Sequence, residues 1–332
     1  MTSPNSKALN RRQILAGTAA AGGAMAVSGA ALSADAAPDL TGKSILITGC
    51  SSGFGYLGAL HYAAAGAKVI ATMRGLPREE GAALKKASDA KKLDVSILEL
   101  DVLSDQSVED AVAKAEEAVG GSLDVVINNA GIGTGAPVEL QDMEMTQLLF
   151  ETNVMGYQRV ARAALPKMRA SKSGLIINVS SQLGRVIIPN IGLYSSTKFA
   201  VEGMSEQMAY ELVPHGVDVS IVQPGGFPTN IWDSGNARTQ EMLKTADEGR
   251  KIAYAALIAN QLPGGSGTDP MDVPRAIADL IAKPQGKRPL RVPVHPARRP
   301  QEAINSVSAK IQEAVLGASP YGPWVKDVLG RG

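Results

Sequence analysis

The sequence predicts an α/β domain, a doubly wound parallel sheet of seven strands flanked by helices. Three observations point to it. Short apolar runs alternate with helix-like stretches from residue 43 onward, the spacing between them suits right-handed βαβ crossovers, and the first run ends in a glycine-rich turn that opens a helix. Strands are expected at 43–48, 67–72, 94–100, 123–127, 174–180, 217–222 and 289–294. Helices are expected near 54–65, 78–91, 105–119, 141–170, 193–213 and 271–282. In a sheet of this kind both faces are covered, and ligands sit at the carboxyl ends of the strands.

Bulk numbers suit one large globular domain with appendages. The 332 residues are 45% hydrophobic with a net charge of +1, enough to bury a core and without an electrostatic footprint for nucleic acid. Mean hydropathy near zero excludes an integral membrane protein. The single Cys50 cannot form an internal disulfide, so it says nothing about redox compartment. Cys50 falls in the glycine-rich turn, where a small residue is needed, and a nucleophilic role is the weaker reading. No metal site is expected.

The first 36 residues read as a signal peptide. Asn10-Arg11-Arg12-Gln13-Ile14-Leu15 opens a mostly Ala and Gly stretch from Ala16 to Ala34, with an Ala-x-Ala cleavage site after Ala36. The paired arginines and weakly apolar core resemble a twin-arginine signal, a bacterial address for exporting folded proteins. Asn10 stands where that pattern usually has Ser or Thr, and Ile14 where it has Phe. A periplasmic or otherwise exported protein is expected; a disordered leader on a cytoplasmic protein is the alternative. The main domain then covers 40–295, and 296–332 forms a C-terminal helical extension.

The chemistry-bearing motifs follow in chain order. After the apolar run 44–48 comes Thr48-Gly49-Cys50-Ser51-Ser52-Gly53-Phe54-Gly55 and a helical stretch. Glycine lets a backbone turn tightly and approach a pyrophosphate, and a helix N-terminus offers free N–H groups. A flexible Gly/Ser loop is the bland alternative. Further along, Tyr194 and Lys198 stand four residues apart, on one face of a helix, and Ser181 lies thirteen residues upstream of Tyr194 at a strand end. A nearby ammonium is expected to lower the phenol's pKa towards the working range of a general acid–base. The Ser181 hydroxyl can donate to a carbonyl oxygen and stabilise the developing alkoxide.

Together with Asp101-Val102, Asn128-Asn129-Ala130-Gly131, Asn153 and Pro224-Gly225 followed by Thr229, these motifs resemble the short-chain dehydrogenases/reductases in their compact single-domain branch. The resemblance covers roughly residues 40–295. It implies a Rossmann-type fold, a nicotinamide cofactor, and hydride transfer between that cofactor and a carbonyl or secondary alcohol. It also implies Tyr194, Ser181, Lys198 and Asn153 as the catalytic set, the last bending its helix and holding a water that links the lysine to solvent. The residues implied at the cofactor are Gly49, Ser51, Ser52, Gly53, Phe54, Gly55, Arg74, Asp101, Val102, Asn129, Ala130, Gly131, Tyr194, Lys198, Pro224, Gly225, Phe227 and Thr229. Asp101 is expected to accept from the adenine amino group, or alternatively to serve as a helix N-terminal acid. Phe227 and Thr229 are expected at the nicotinamide side.

Cofactor choice is read after the second strand, which ends in Thr72-Met73-Arg74. An acid there would bond the adenosine ribose and repel a 2′-phosphate. None is present, and Arg74 can pair with phosphate through its planar fork, so NADP(H) is favoured over NAD(H). Ser52 lacks the basic character that often reinforces this preference in the family. Two segments are expected to shape an apolar substrate pocket: Gln182 to Gly192, with Leu183, Ile187, Ile188 and Ile191, and a loop from about 227 to 269 with Trp232, Met242 and Tyr254. Ile304, Val307, Ile311 and Val315 recur at helical spacing, so the extension should pack on the domain or on a partner subunit. The resemblance implies a homodimer or homotetramer built on the long helices. The rival functions are a non-catalytic dinucleotide-binding redox sensor and a sugar-nucleotide epimerase or dehydratase, the latter disfavoured by the glycine spacing.

Overall fold

The computed structural model describes residues 38–259, 265 and 267–331, so the expected leader lies outside the described residues. Seven strands form one sheet: β1 (Ser44–Ile47), β2 (Lys68–Met73), β3 (Val95–Glu99), β4 (Val125–Asn128), β5 (Leu175–Val179), β6 (Asp218–Pro224) and β7 (Arg291–Val294). Their order is β3-β2-β1-β4-β5-β6-β7, and every neighbouring pair is parallel. This is the Rossmann-type doubly wound arrangement predicted from the sequence.

Alternation along the strands builds two cores. Ile45 and Ile47 turn to one face with Ala59, Tyr62 and Ile277, while Leu46 turns to the other with Val108, Val160 and Ala164. The first face is covered by α1 (Gly53–Ala64), α2 (Glu79–Ala90) and a helix at Asp272–Ala282. The second is covered by α3 (Asp105–Val119) and, beyond it, α5 (Gly156–Ser171) and α6 (Tyr194–Leu212). Strands sandwiched in this way need apolar residues on both faces, hence their near-continuous apolar runs.

The chain leaves β1 towards β2 and β3, then returns to place β4 on the other side of β1. The reversal opens a crevice beyond the carboxyl ends of β1 and β4. Gly49 and Asn129 stand at its two lips.

Two segments differ from the sequence reading. The helix expected over 141–170 is α4 (Met143–Phe150), then a π-helical turn at Glu151–Met155, then α5. The π turn carries Asn153, whose side-chain amide bonds outside the helix, and single π turns of this kind often mark functional sites. The loop expected over 227–269 contains helices at Asn230–Thr245 (α7), Glu248–Ala253 (α8) and Ala255–Ala259 (α9). The helix at Asp272–Ala282 is accordingly α10.

The extension is helical, as its periodicity indicated, with α11 at Gln301–Leu316 and α12 at Gly322–Leu329. Its apolar stripe does not pack on the domain, which leaves the other expectation, a partner subunit. Val307, Ile311 and Val315 are exposed at 61%, 59% and 69%. The helix is held instead through Gln301 and Asn305, whose side-chain amides donate to the Gln223 carbonyl at 3.2 Å and to Gln223 Oε1 at 2.7 Å. Gln223 Nε2 in turn donates to the buried Glu202 at 2.9 Å, which also receives Arg291 Nε at 2.9 Å. Buried polar groups demand partners, and this network supplies them more specifically than an apolar stripe. Within α12, Val325 and Val328 are buried.

Candidate active site

The glycine-rich turn is shaped by what lies against it. Gly49 has φ +75°, and a Cβ there would stand 2.8 Å from Ala130 Cα. A Cβ on Gly55 would fall 2.2 Å from the Gly49 carbonyl oxygen and 2.7 Å from Asn129 Nδ2. Only glycine lets the first turn of α1 approach the β1 end this closely. Thr48 fixes the opposite lip: its Oγ1 accepts from the Asn129 and Ala130 N–H groups, each at 3.0 Å. Asn129 Nδ2 returns a bond to the Thr48 carbonyl at 2.9 Å. No acid stands in the first turn of α1, so its free N–H groups face the crevice with their positive dipole end uncompensated. A cradle of this shape fits a dinucleotide pyrophosphate.

Strand β5 delivers the second half of the site. Beyond it, Ser181 caps a short 3₁₀ turn, its Oγ accepting from Leu183 N at 3.1 Å. Tyr194 begins α6, and one turn later Lys198 donates to the Val179 carbonyl at 2.9 Å. Its ammonium lies 5.7 Å from the Tyr194 ring centre and 5.5 Å from that of Tyr157. The tyrosine phenol is not lowered. Burial pushes it up to about 12, and a hydrogen bond with Ser181 draws it back only in part. Burial brings the Lys198 ammonium down to about 8, opposed by the Glu202 carboxylate one turn further along. The expectation that lysine would dominate the phenol's acidity is thus reversed, because desolvation is the largest influence on it.

Asn153 is fully buried on the π turn. Its Oδ1 accepts from Ile132 N at 2.9 Å, and its Nδ2 donates to the Ile132 carbonyl at 2.9 Å and to Thr197 Oγ1 at 3.1 Å. It therefore joins the segment after β4 to the helix of Tyr194 and Lys198. Among the described residues no direct hydrogen bond links Asn153 to Lys198.

One cavity of about 640 Å³ runs from the glycine-rich turn to Ser181, Tyr194 and Lys198, within the range of small-molecule and cofactor sites. It is lined by Gly49, Ser51, Ser52, Gly53, Phe54, Arg74, Asp101, Val102, Asn129, Ala130, Gly131, Ser181, Tyr194, Lys198, Pro224, Gly225, Phe227 and Thr229, whereas Asn153 and Gly55 stand behind its wall. Asp101 also closes its own turn, accepting from Leu103 N at 3.0 Å, while the cap of α3 is Ser104. Phe227 is mostly core: it is 2% exposed and packs edge-on to Phe54 at 5.7 Å. Gly225 passes so close to His295 that a Cβ would stand 2.5 Å from its ring.

Of the residues expected to shape the substrate pocket, Leu183, Ile188, Ile191 and Trp232 line the cavity. Ile187 points to solvent, Met242 packs with Ala136 and Leu140, and the Tyr254 hydroxyl donates to Glu139 at 2.9 Å. Cys50 is buried, its Sγ 3.3 Å from the Ile47 carbonyl and its thiol pushed up to about 12 by burial, so it is no nucleophile.

Sequence reasoning missed Arg78, Glu80 and Arg238 among the lining residues. Arg78 is closed on Glu80 through two hydrogen bonds of 2.8 and 2.7 Å. Arg238 lies on α7, 164 residues from Arg74 in sequence, and no local pattern marks it.

The family profile of the short chain dehydrogenases matches residues 43–240, more than half of the chain. The chain belongs to this family. The dehydrogenase is 36% identical over 239 residues to a 3-ketodihydrosphingosine reductase of Bacteroides thetaiotaomicron, covering 72% of this chain and 83% of that protein. It is 31% identical over 260 residues to bovine (Bos taurus) retinol dehydrogenase 8, covering 75% and 80%. Among solved structures, a short-chain dehydrogenase from Streptomyces avermitilis superposes with a TM-score of 0.63 at 31% identity, covering 82% of this chain and 96% of that one. The dehydrogenase is thus an NAD(P)-dependent oxidoreductase acting on CH–OH or C=O groups.

Proposed function

We propose that the enzyme prefers NADP(H) and interconverts an apolar ketone or aldehyde with its alcohol, using Tyr194 as the proton donor and acceptor. The observation that carries this reading is the meeting of Ser181, Tyr194 and Lys198 at one end of a cavity whose other end holds Arg74. When bound, the nicotinamide supplies or takes up the hydride.

The chain's own residues do the rest. Ser181 Oγ donates to the substrate oxygen and polarises it. Tyr194 gives its phenolic proton to that oxygen in reduction and recovers it in oxidation, while the Lys198 ammonium stabilises the phenolate left behind. A phenol raised to about 12 by burial carries, at neutral pH, the proton that reduction consumes. Asn153 keeps the π bend and holds the water that returns protons to Lys198. Gly49 to Gly55 hold the pyrophosphate, Asp101 the adenine, and Asn129 to Gly131 the nicotinamide ribose. Leu183, Ile188, Ile191 and Trp232 provide apolar contact to the substrate, and the relatives named for keto-reduction and retinol dehydrogenation support a carbonyl or alcohol in that place.

The test is oxidation of NADPH and of NADH by the purified chain with a panel of apolar ketones, aldehydes and quinones. Faster turnover with NADH overturns the cofactor preference. Cofactor binding with no turnover of any compound favours a sensor.

The leader carries a second part of the proposal: Arg11 and Arg12 direct export of the folded enzyme, and 1–36 is removed. Cell fractionation of the Arg11→Lys, Arg12→Lys double variant should leave the protein in the cytoplasm. Assembly through the long helices is proposed on the exposure of Met155 and Phe199, each 40%, and light scattering of a dimer or tetramer is the expected outcome.

A further inference from the structure

Two arginines line the adenosine end of the cavity from elements far apart in sequence. Arg74 directly follows β2, and Arg238 reaches in from α7, the helix on the substrate side. The third arginine there, Arg78, is already neutralised by Glu80. Among the described residues, neither the Arg74 nor the Arg238 guanidinium has a hydrogen-bonded or ion-paired partner, although the Arg74 carbonyl accepts from Arg78 at 3.2 Å, and Arg238 Nη1 is buried without an acceptor. A buried donor left unpaired is costly, and so is a cation set near another cation without an anion between them. Burial and the facing Arg74 both lower the Arg238 pKa.

The arrangement is held in place. Thr239, next to Arg238, accepts from Gly135 N at 2.8 Å and donates to the Gly235 carbonyl at 2.9 Å. A Cβ on Gly235 would stand 3.1 Å from the Gly133 carbonyl oxygen. The helix is therefore docked on the segment after β4, and Arg238 faces the cavity because its neighbours are fixed.

We propose that Arg238 and Arg74 form a two-armed clamp for a phosphate monoester on the adenosine ribose, so that the substrate-side helix takes part in cofactor discrimination. Two guanidinium forks match the near-double charge and three acceptor oxygens of such a phosphate. An unphosphorylated ribose leaves both without an anion. This rests on the NADP(H) reading above and adds to it a residue no motif contains. It also ties cofactor identity to the helix that covers the substrate, since filling the clamp fixes α7 from the cofactor side.

The test is calorimetric titration of the full chain with adenosine 2′,5′-bisphosphate and with 5′-AMP, ligands that differ by the phosphate in question and need no turnover. Arg238→Gln should weaken the bisphosphate roughly tenfold to a hundredfold and leave 5′-AMP within about twofold. Arg238→Lys, which keeps charge but not the fork, should recover part of the loss. Thermal melts of Arg238→Gln should show no loss of stability, since the buried Nη1 has no partner to lose. Equal weakening of both ligands, or of neither, overturns the clamp. If wild type prefers the bisphosphate and only Arg74→Gln removes that preference, the NADP(H) reading stands and the role of Arg238 fails. If wild type shows no preference, the NADP(H) reading fails and the clamp with it.

Discussion

The Lys198 ammonium donates to the Val179 carbonyl at 2.9 Å, and the Tyr157 hydroxyl donates to the same oxygen at 3.0 Å. Lys198 is thus held on the end of β5, beside the ring of Tyr194, by a backbone group that cannot move without moving the sheet. Proton handling is tied to the end of a central strand, and the substrate side is built from loops and the helices α7 to α9.

Tyr194→Phe removes the only atom in the proposed mechanism that moves the substrate proton. Turnover should fall by about 10² to 10⁴, while the Kd for cofactor, followed by fluorescence quenching, changes by less than about threefold. Retained turnover would sink the assignment of Tyr194.

Lys198→Met should inactivate the enzyme and yet stabilise it at pH 7. Burial lowers the folded lysine from its ordinary 10.5 to about 8. Between those values the unfolded chain binds more protons than the folded one, so the stability of the wild type rises with pH across the window. The advantage of the variant is therefore full below about pH 8 and shrinks as pH climbs towards 10.5. Melting curves at pH 7 and pH 10 check the sign, and a variant less stable at pH 7 contradicts it.

Thr48→Val keeps the volume and deletes a hydroxyl that accepts from two backbone N–H groups. Leaving these unpaired should cost about 1–3 kcal/mol each at most, seen as a lower midpoint in urea, and should loosen the Asn129 lip enough to raise the cofactor Kd several-fold. An unchanged midpoint would mean that water replaces the hydroxyl.

Gly55→Ala places a carbon 2.2 Å from the Gly49 carbonyl oxygen, a backbone overlap no rotamer relieves. Cofactor binding should drop by at least about tenfold, since a shift of a few tenths of an ångström already disturbs a phosphate cradle. Gly121→Ala, where no atom lies within 4 Å, is the control and should leave binding unchanged. Equal behaviour of the two variants would remove the steric argument.

The sheet was legible because burial on both faces forces apolar runs, and those runs stand in the strands as observed, with ends shifted by a residue or two. Tyr194, Lys198 and Ser181 were legible for a related reason: spacing on a helix and position at a strand end are local properties. The helices of 230–259 were not legible. The sequence of α7 is mostly polar and broken by Gly235, and α8 and α9 are too short to show a period, so no apolar periodicity marks them, and α7 is placed by contacts such as Thr239 to Gly135. The periodic apolar residues of α11 marked the helix but not what its stripe meets, since periodicity shows that a helix has a stripe and not which side meets the domain.

The sequence alone determined the sheet, its crevice and the residue types that meet there, because each follows from local pattern and chain order. Tertiary structure decided the electrostatics. Whether Tyr194 is lowered by Lys198 or raised by burial depends on how much water each group keeps. Whether Arg238 faces Arg74 depends on how α7 docks. Neither desolvation nor the meeting of residues 164 positions apart is a property of any stretch of sequence; both exist only once the chain has closed around them.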